Sequence, residues 1–223
     1  MLSGVAIGVA LTVTSTAPSN AAIDTSGAAI RRAITNVAGP DSPHCRYREP
    51  HGRLYGVQTV PMTAQRKKAL INAGATSRHI AIAMLENETM DTSYPLYDNK
   101  SNDAANFGVF KQNWGVIRAT SPRYRGLKAT DYARGRELNR NVGLDVTVLK
   151  QSIQRYGLTR WLAAHRCGAT GLANPNLKAV KQYIGAVNIL TEKIAASDRQ
   201  FGPNNYHNLM RSNKRFWINV PAV

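Results

Sequence analysis

Residues 84–118, from Met84 to Arg118, read MLENETMDTSYPLYDNKSNDAANFGVFKQNWGVIR. The stretch changes character twice, and the fold class follows from those changes. Just upstream, His79 to Leu85 is almost continuously apolar, the pattern of a helix surrounded by core rather than lying on a surface. Glu86 ends that run. The loop YPLYDNKSND that follows is polar and holds Asp98. Beyond it, Asp103 is placed to cap a helix from Ala104 to about Thr120, with Phe107, Phe110, Trp114 and Ile117 on one stripe.

Working outward, Thr63 can start a helix that runs to about Asn72, with Gly74 to end it and Thr76 or Ser77 to start the next. Further upstream, AAIRRAITNVA from Ala28 is amphipathic and is stopped by Gly39-Pro40. Arg53 to Val60 alternates and is the one convincing strand. Downstream, a helix from about Arg134 to Tyr156 aligns Leu138, Val142, Val146, Leu149 and Ile153, with Gly157 as its cap. A short helix at Thr159 to His165 and one opened by Asn174-Pro175 complete the pattern. From Phe201 onward the Asn-rich tail gives no periodic signal. The sum is a mostly helical α+β chain with a small β element, one domain over 23–223.

With 223 residues and 43% hydrophobic content, the chain can bury one sizeable core. No internal repeat, Gly-rich phosphate loop or metal-ligand spacing occurs, so neither a metal nor a cofactor is expected. Residues 1–22 carry no charged side chain, hold an apolar block from Val5 to Val13, and end in small residues, which describes a secretory leader cleaved after Ala21 or Ala22. The block is short for a bilayer span, so an uncleaved anchor is the weaker alternative. An extracellular protein without stable membrane insertion follows. Cys45 and Cys167 fit one long-range disulfide in such a compartment, or two separate buried thiols.

The formal charge of +16 is spread along the chain, with no basic block and no nucleic-acid motif. Nucleic acid is therefore not expected as a partner, and the charge reads as a solvated cationic surface or as attraction to an anionic surface such as a cell wall, a phosphorylated glycan or a membrane.

Glu86 and Asp98 are the candidate chemical pair. Cleaving a glycosidic bond needs an acid to protonate the leaving oxygen and a carboxylate to activate water or attack the sugar. Glu86, leaving an apolar helix at its negative end with Glu88 nearby, is expected to hold its proton. Asp98, in a polar loop beside Lys100, is expected to stay ionised. Their spacing is permissive, and Glu88, Asp91 and Asp103 are rivals.

The segment AMLENETMDTSYPLYDNKSNDAANFGVFKQNWGVIR resembles the signature region of glycoside hydrolase family 134, the lysozyme-like endo-β-1,4-mannanases. The shared features are the glutamate after an apolar helix, Tyr94-Pro95, the Asp98-x-Lys100 loop and the run from Asp103 to Trp114. A fainter likeness continues through His165-Arg166-Cys167-Gly168 and Asn174-Pro175, so it spans about 76–188. The resemblance implies a lysozyme-like fold and inverting hydrolysis of β-1,4-mannan, with Glu86 as general acid and Asp98 as general base. Asn106, Lys111, Gln112, Asn113, Trp114, His165 and Arg166 are candidates for sugar contacts. Two other readings stay open: a lysozyme- or chitosanase-like hydrolase of an aminosugar wall polymer, and a non-catalytic cationic wall-binding or antimicrobial protein.

Overall fold

Ser26 accepts a hydrogen bond from the Ala29 amide at 3.2 Å and starts α1 (Gly27–Thr35), whose Ile30 and Ile34 are fully buried one turn apart. The computed structural model describes residues 23–223; the leader expected over residues 1–22 lies outside them. After α1 come β1 (Tyr55–Thr59), α2 (Thr63–Asn72) and α3 (Ser77–Glu86). Then follow a short hairpin, β2 (Asn106–Phe107) and β3 (Gln112–Asn113), and α4 (Trp114–Thr120). Helices α5 (Arg136–Arg140), α6 (Val142–Tyr156), α7 (Leu158–Ala173) and α8 (Lys178–Gln200) precede β4 (Lys214–Ile218). The architecture is mostly helical α+β, as the sequence pattern requires.

Helix α3 is the axis of the main core. Ile80, Ala81, Ile82, Ala83 and Met84 are all at 0% exposure, so the helix is enclosed on every side, chiefly by α8 and β4. His79 accepts the Thr76 amide through Nδ1 at 3.0 Å and closes the first turn, a capping role. At the other end, Arg215 of β4 donates through Nε and Nη2 to the Met84 carbonyl, so the last turn, which presents Glu86, is fixed from outside the helix.

The two-stranded antiparallel sheet of β1 and β4 ties the beginning of the domain to its end, with Tyr55 opposite Ile218 and Thr59 opposite Lys214. Beneath it lies Lys67, at 0% exposure, which donates to the Leu209 and Lys214 carbonyls, each at 2.8 Å; burial pushes its amine down to about 7. A disulfide joins Cys45 to Cys167 across 122 positions, with a Cα separation of 5.5 Å.

Two expected helices are interrupted. Residues 104–120 do not form one helix: the chain pairs Asn106 with Asn113 and Phe107 with Gln112, and only Trp114–Thr120 is helical. The cause is tertiary. Gly108 and Lys111 hold φ of +74° and +48°, and the Asp145 carboxylate of α6 accepts the Val109 amide at 2.7 Å, so the backbone turns. The apparent stripe divides between two clusters. Phe110 enters the main core, whereas Phe107, Trp114 and Ile117 join Tyr124, Leu138 and Val148 in a second, aromatic-rich one. Asp103 caps nothing and instead pairs with Arg118 at 2.6 and 2.7 Å.

The expected helix over 134–156 is broken at Asn141, which is extended (φ −137°, ψ 96°) and caps α6 by accepting from Leu144 at 2.9 Å. Conversely, the short helix expected at 159–165 continues to Ala173 through a break at Cys167-Gly168. Gly168 has φ +54° and ψ −138°, a conformation that only glycine adopts without strain. The break turns the chain where the disulfide holds it.

Candidate active site

Glu86 is the last residue of α3, and its side chain is 21% exposed. Helix α7 sets His165 against it, with Nε2 at 3.4 Å from Oε1, and Arg166 follows on the same helix. Helix α8 brings up Tyr183. Burial pushes the Glu86 carboxyl up, but His165, Tyr183 and Arg166 together outweigh burial and bring it down to about 2. The expectation that an apolar setting and Glu88 would hold a proton on Glu86 is therefore corrected. Glu88 is exposed, accepts from Gln58 Nε2 at 2.8 Å and faces Arg215, away from the cluster around Glu86.

The cluster is rich in polar atoms without partners. Nδ1 of His165, Nε of Arg166, the Tyr183 hydroxyl and the Trp161 indole N–H are all buried and unpaired. The Tyr183 hydroxyl faces Glu86 but falls outside hydrogen-bonding geometry. The His165 ring lies flat on Trp161, with centroids 4.9 Å apart and planes within 8°, and Arg166 donates to the Pro221 carbonyl. Unpaired buried groups cost about 1–3 kcal/mol each, so their concentration at one carboxylate marks a place built for something other than stability.

Asp98 sits on an unusual turn. Tyr97, Asp98 and Asn99 have φ of +57°, +59° and +55°, three consecutive non-glycine residues in the left-handed region. Tyr97 holds the turn down by packing edge-on against Phe107 and Tyr132, at 5.6 and 4.9 Å between centroids. The carboxylate accepts from Asn106 at 2.9 Å and Lys111 at 3.0 Å, with Lys100 at 3.9 Å. Burial opposes its charge, but Asn106, Lys111 and Lys100 prevail and hold it below the usual aspartate range. That part of the expectation agrees with the geometry.

A cleft of about 490 Å³ is bordered by neighbours of both carboxylates, although neither Glu86 nor Asp98 is among the residues that line it. Lys100, Asp103, Ala104 and Asn113 line it on the Asp98 side, and His165 and Arg166 on the Glu86 side. Asn113 donates to Asn106 Oδ1 at 2.8 Å, and Asn106 donates to Asp98, so this wall leads directly to the carboxylate.

The other sequence candidates divide. Asn106 and Lys111 serve Asp98, Lys111 also lying 4.8 Å from the centre of the Tyr94 ring, while Asn113, His165 and Arg166 border the cleft. Gln112 and Trp114 do neither: both are at 0% exposure. The Gln112 amide is bonded to Asp145 and the Trp114 indole to the Lys128 carbonyl at 3.0 Å, so neither presents a face to a sugar. The rival carboxylates have their own partners, Asp91 with Arg66 at 2.7 Å and Asp103 with Arg118.

Sequence reasoning missed Tyr183, Trp161 and Asp145. Trp161 precedes His165 by one helical turn, and Tyr183 sits three residues after Val180 and four before Val187, so periodicity placed both on inward faces. Asp145 carried no such signal. Among the described residues, no group of histidine, cysteine, aspartate and glutamate is arranged to hold a metal ion.

A family model described as glycosyl hydrolase family 134 matches residues 64–220. The match takes in α2, the hairpin, all of α3 to α8 and β4, and so extends well beyond the 76–188 span of the sequence likeness. No curated protein matches the chain.

Proposed function

Because the chain belongs to glycosyl hydrolase family 134, we propose that it is an endo-acting β-1,4-mannanase that inverts the anomeric centre, with Glu86 as general acid and Asp98 as general base. Glycosidic cleavage is the family's chemistry; mannan, inversion and the two roles are the reading advanced here. The observation that carries it is the Asp98 carboxylate, kept ionised by Asn106, Lys111 and Lys100 on a left-handed turn whose Lys100 lines the cleft.

A base of this kind takes a proton from water as the oxygen attacks C1, and a carboxylate with low proton affinity at rest is ready at neutral pH. Glu86, with a side chain 21% exposed, takes in this reading the role of the acid that protonates the departing sugar oxygen.

The disulfide and the leader-like residues 1–22 support action outside the cell. The +16 charge supports retention on an anionic wall, which must then weaken with added salt as surface charge is screened.

The test is reducing-end release from linear β-1,4-mannan, chitosan and peptidoglycan by wild type, Glu86→Gln and Asp98→Asn. Release from mannan alone, abolished in both folded variants, is expected. Release from peptidoglycan or chitosan instead would transfer the assignment to an aminosugar polymer, which the positive charge would suit.

A further inference from the structure

We infer that Trp217, lying across Gly56 on the sheet face that meets the end of α3, is a platform on which a mannosyl ring stacks on the Glu86 side of the site, an inference that rests on mannan being the substrate. Three observations carry it.

The first is place. Paired residues of an antiparallel sheet share a face and alternate residues of a strand return to it, so Trp217, Gly56, Arg215 and Gln58 stand on one face of the β1 and β4 sheet. Arg215 donates to the carbonyl of Met84, two residues before Glu86, and Gln58 donates to Glu88, two residues after it. Beyond Trp217, the Pro221 carbonyl accepts from Arg166, whose neighbour His165 lies 3.4 Å from Glu86. The chain from 215 to 221 therefore runs past Glu86, and Trp217 lies between the two points of contact. The second is the room kept for the ring. A Cβ on Gly56 would stand 2.9 Å from the indole, so glycine is what lets the ring lie this close to the partner strand. The third is what stays open. Phe216 and Ile218, on the opposite face, give β4 its place in the main core, while Trp217 is only partly buried. The exposed Arg53 sets its guanidinium 6.0 Å from the centre of the indole, and its carbonyl accepts from Asn219.

An open indole beside a guanidinium suits a neutral sugar. The C–H face of a pyranose packs on the aromatic ring, and its hydroxyls accept from the planar fork of donors. Trp114 and Trp161 are both at 0% exposure, so the stacking role expected of Trp114 falls to the one tryptophan of three with an accessible face. Stacking away from the breaking bond holds substrate and transition state alike, so it acts on KM and leaves kcat nearly untouched.

The experiment measures hydrolysis of linear mannohexaose by wild type, Trp217→Ala, Trp217→Phe and Gly56→Val. For Trp217→Ala, KM should rise about tenfold with kcat within about threefold, and Trp217→Phe, which keeps an aromatic face, should recover most of the loss. Gly56→Val leaves the tryptophan in the chain but displaces the ring, and should raise KM in the same way. An unchanged KM in folded Trp217→Ala, or a loss confined to kcat, would overturn the proposal. Should Trp217→Ala not fold, fluorescence decides without touching the residue. Trp114 and Trp161 are buried, so quenching by acrylamide reports on Trp217. Saturating mannohexaose, kept uncleaved by using Asp98→Asn, should suppress that quenching, and undiminished quenching overturns the proposal. The two levels separate cleanly. A wild type that neither cleaves nor binds mannohexaose refutes the mannan reading and the platform with it, whereas one that cleaves it with KM insensitive to Trp217 refutes the platform alone.

Discussion

Gln112 donates to Asp145 Oδ1 at 2.7 Å and to the Asp145 carbonyl at 3.0 Å, so a side chain in the hairpin and a residue of α6 hold each other in a fully buried contact. Oδ2 accepts the Val109 amide at 2.7 Å, and a Cβ on Gly108 would stand only 2.0 Å from Oδ1. Asp145 is thus the post around which the hairpin carrying Asn106 and Lys111 turns, and those two residues hold Asp98.

Burial, only partly offset by Gln112, Val109 and Phe110, pushes the Asp145 carboxyl up to about 7, against roughly 3.9 for an unfolded aspartate. A raised folded-state value means that the folded chain binds the extra proton. This group's contribution therefore falls as pH rises from about 4 to about 7 and is level above that. Asp145→Asn, always neutral, should remove that slope, and Asp145→Ala, which strands two buried donors, should cost about 2–4 kcal/mol. Urea unfolding at a series of pH values checks both; an unchanged slope in Asp145→Asn would contradict the assignment.

Lys111 acts on Asp98 by direct contact at 3.0 Å, with both side chains mostly buried at 18% and 22% exposure. Removing the ammonium leaves burial less opposed, so the carboxyl must rise. A base has to be ionised, and the acid limb of kcat/KM for Lys111→Met should move to higher pH. The rate of the variant should fall about tenfold on the acid side of the limb and stay unchanged on the alkaline side. A uniform loss at every pH would mean that Lys111 positions sugar rather than tunes the base.

How much of this was legible in the sequence depends on whether the cause was local. The enclosed helix ending at Glu86, the strand at 55–59 and the long-range disulfide follow from apolar runs, alternation and cysteine count, all of which are written within a few residues. The hairpin over 106–113 was not legible, because Phe107, Phe110, Trp114 and Ile117 have helical spacing yet enter two different clusters, and the contact that bends them comes from Asp145 in α6. The tail was opaque for a similar reason: β4 exists by pairing with β1, more than 150 positions earlier. At the site, the ionised state expected of Asp98 agrees with its surroundings because Lys100, its neighbour in sequence, is also its neighbour in space. Glu86 was read with the wrong sign because His165 and Tyr183 reach it from helices far along the chain.

The disulfide joins this distant half of the site to the start of the domain. Cys167 directly follows His165 and Arg166, at the point where α7 breaks, and Cys45 lies among Ala163, Leu177, Ala179 and Val180 in a small separate cluster. Closing a loop with a separation of 122 residues stabilises the fold by about 5 kcal/mol on the chain-entropy model. Cys45→Ser with Cys167→Ser should lower stability by about that amount. It should also cut activity at temperatures where the protein remains folded, because the turn that seats His165 against Glu86 is no longer tied down. Urea unfolding beside mannan hydrolysis at 15 °C separates the two effects. Full activity in the folded double variant would show that α7 keeps its course without the cross-link, and that the bond serves stability alone.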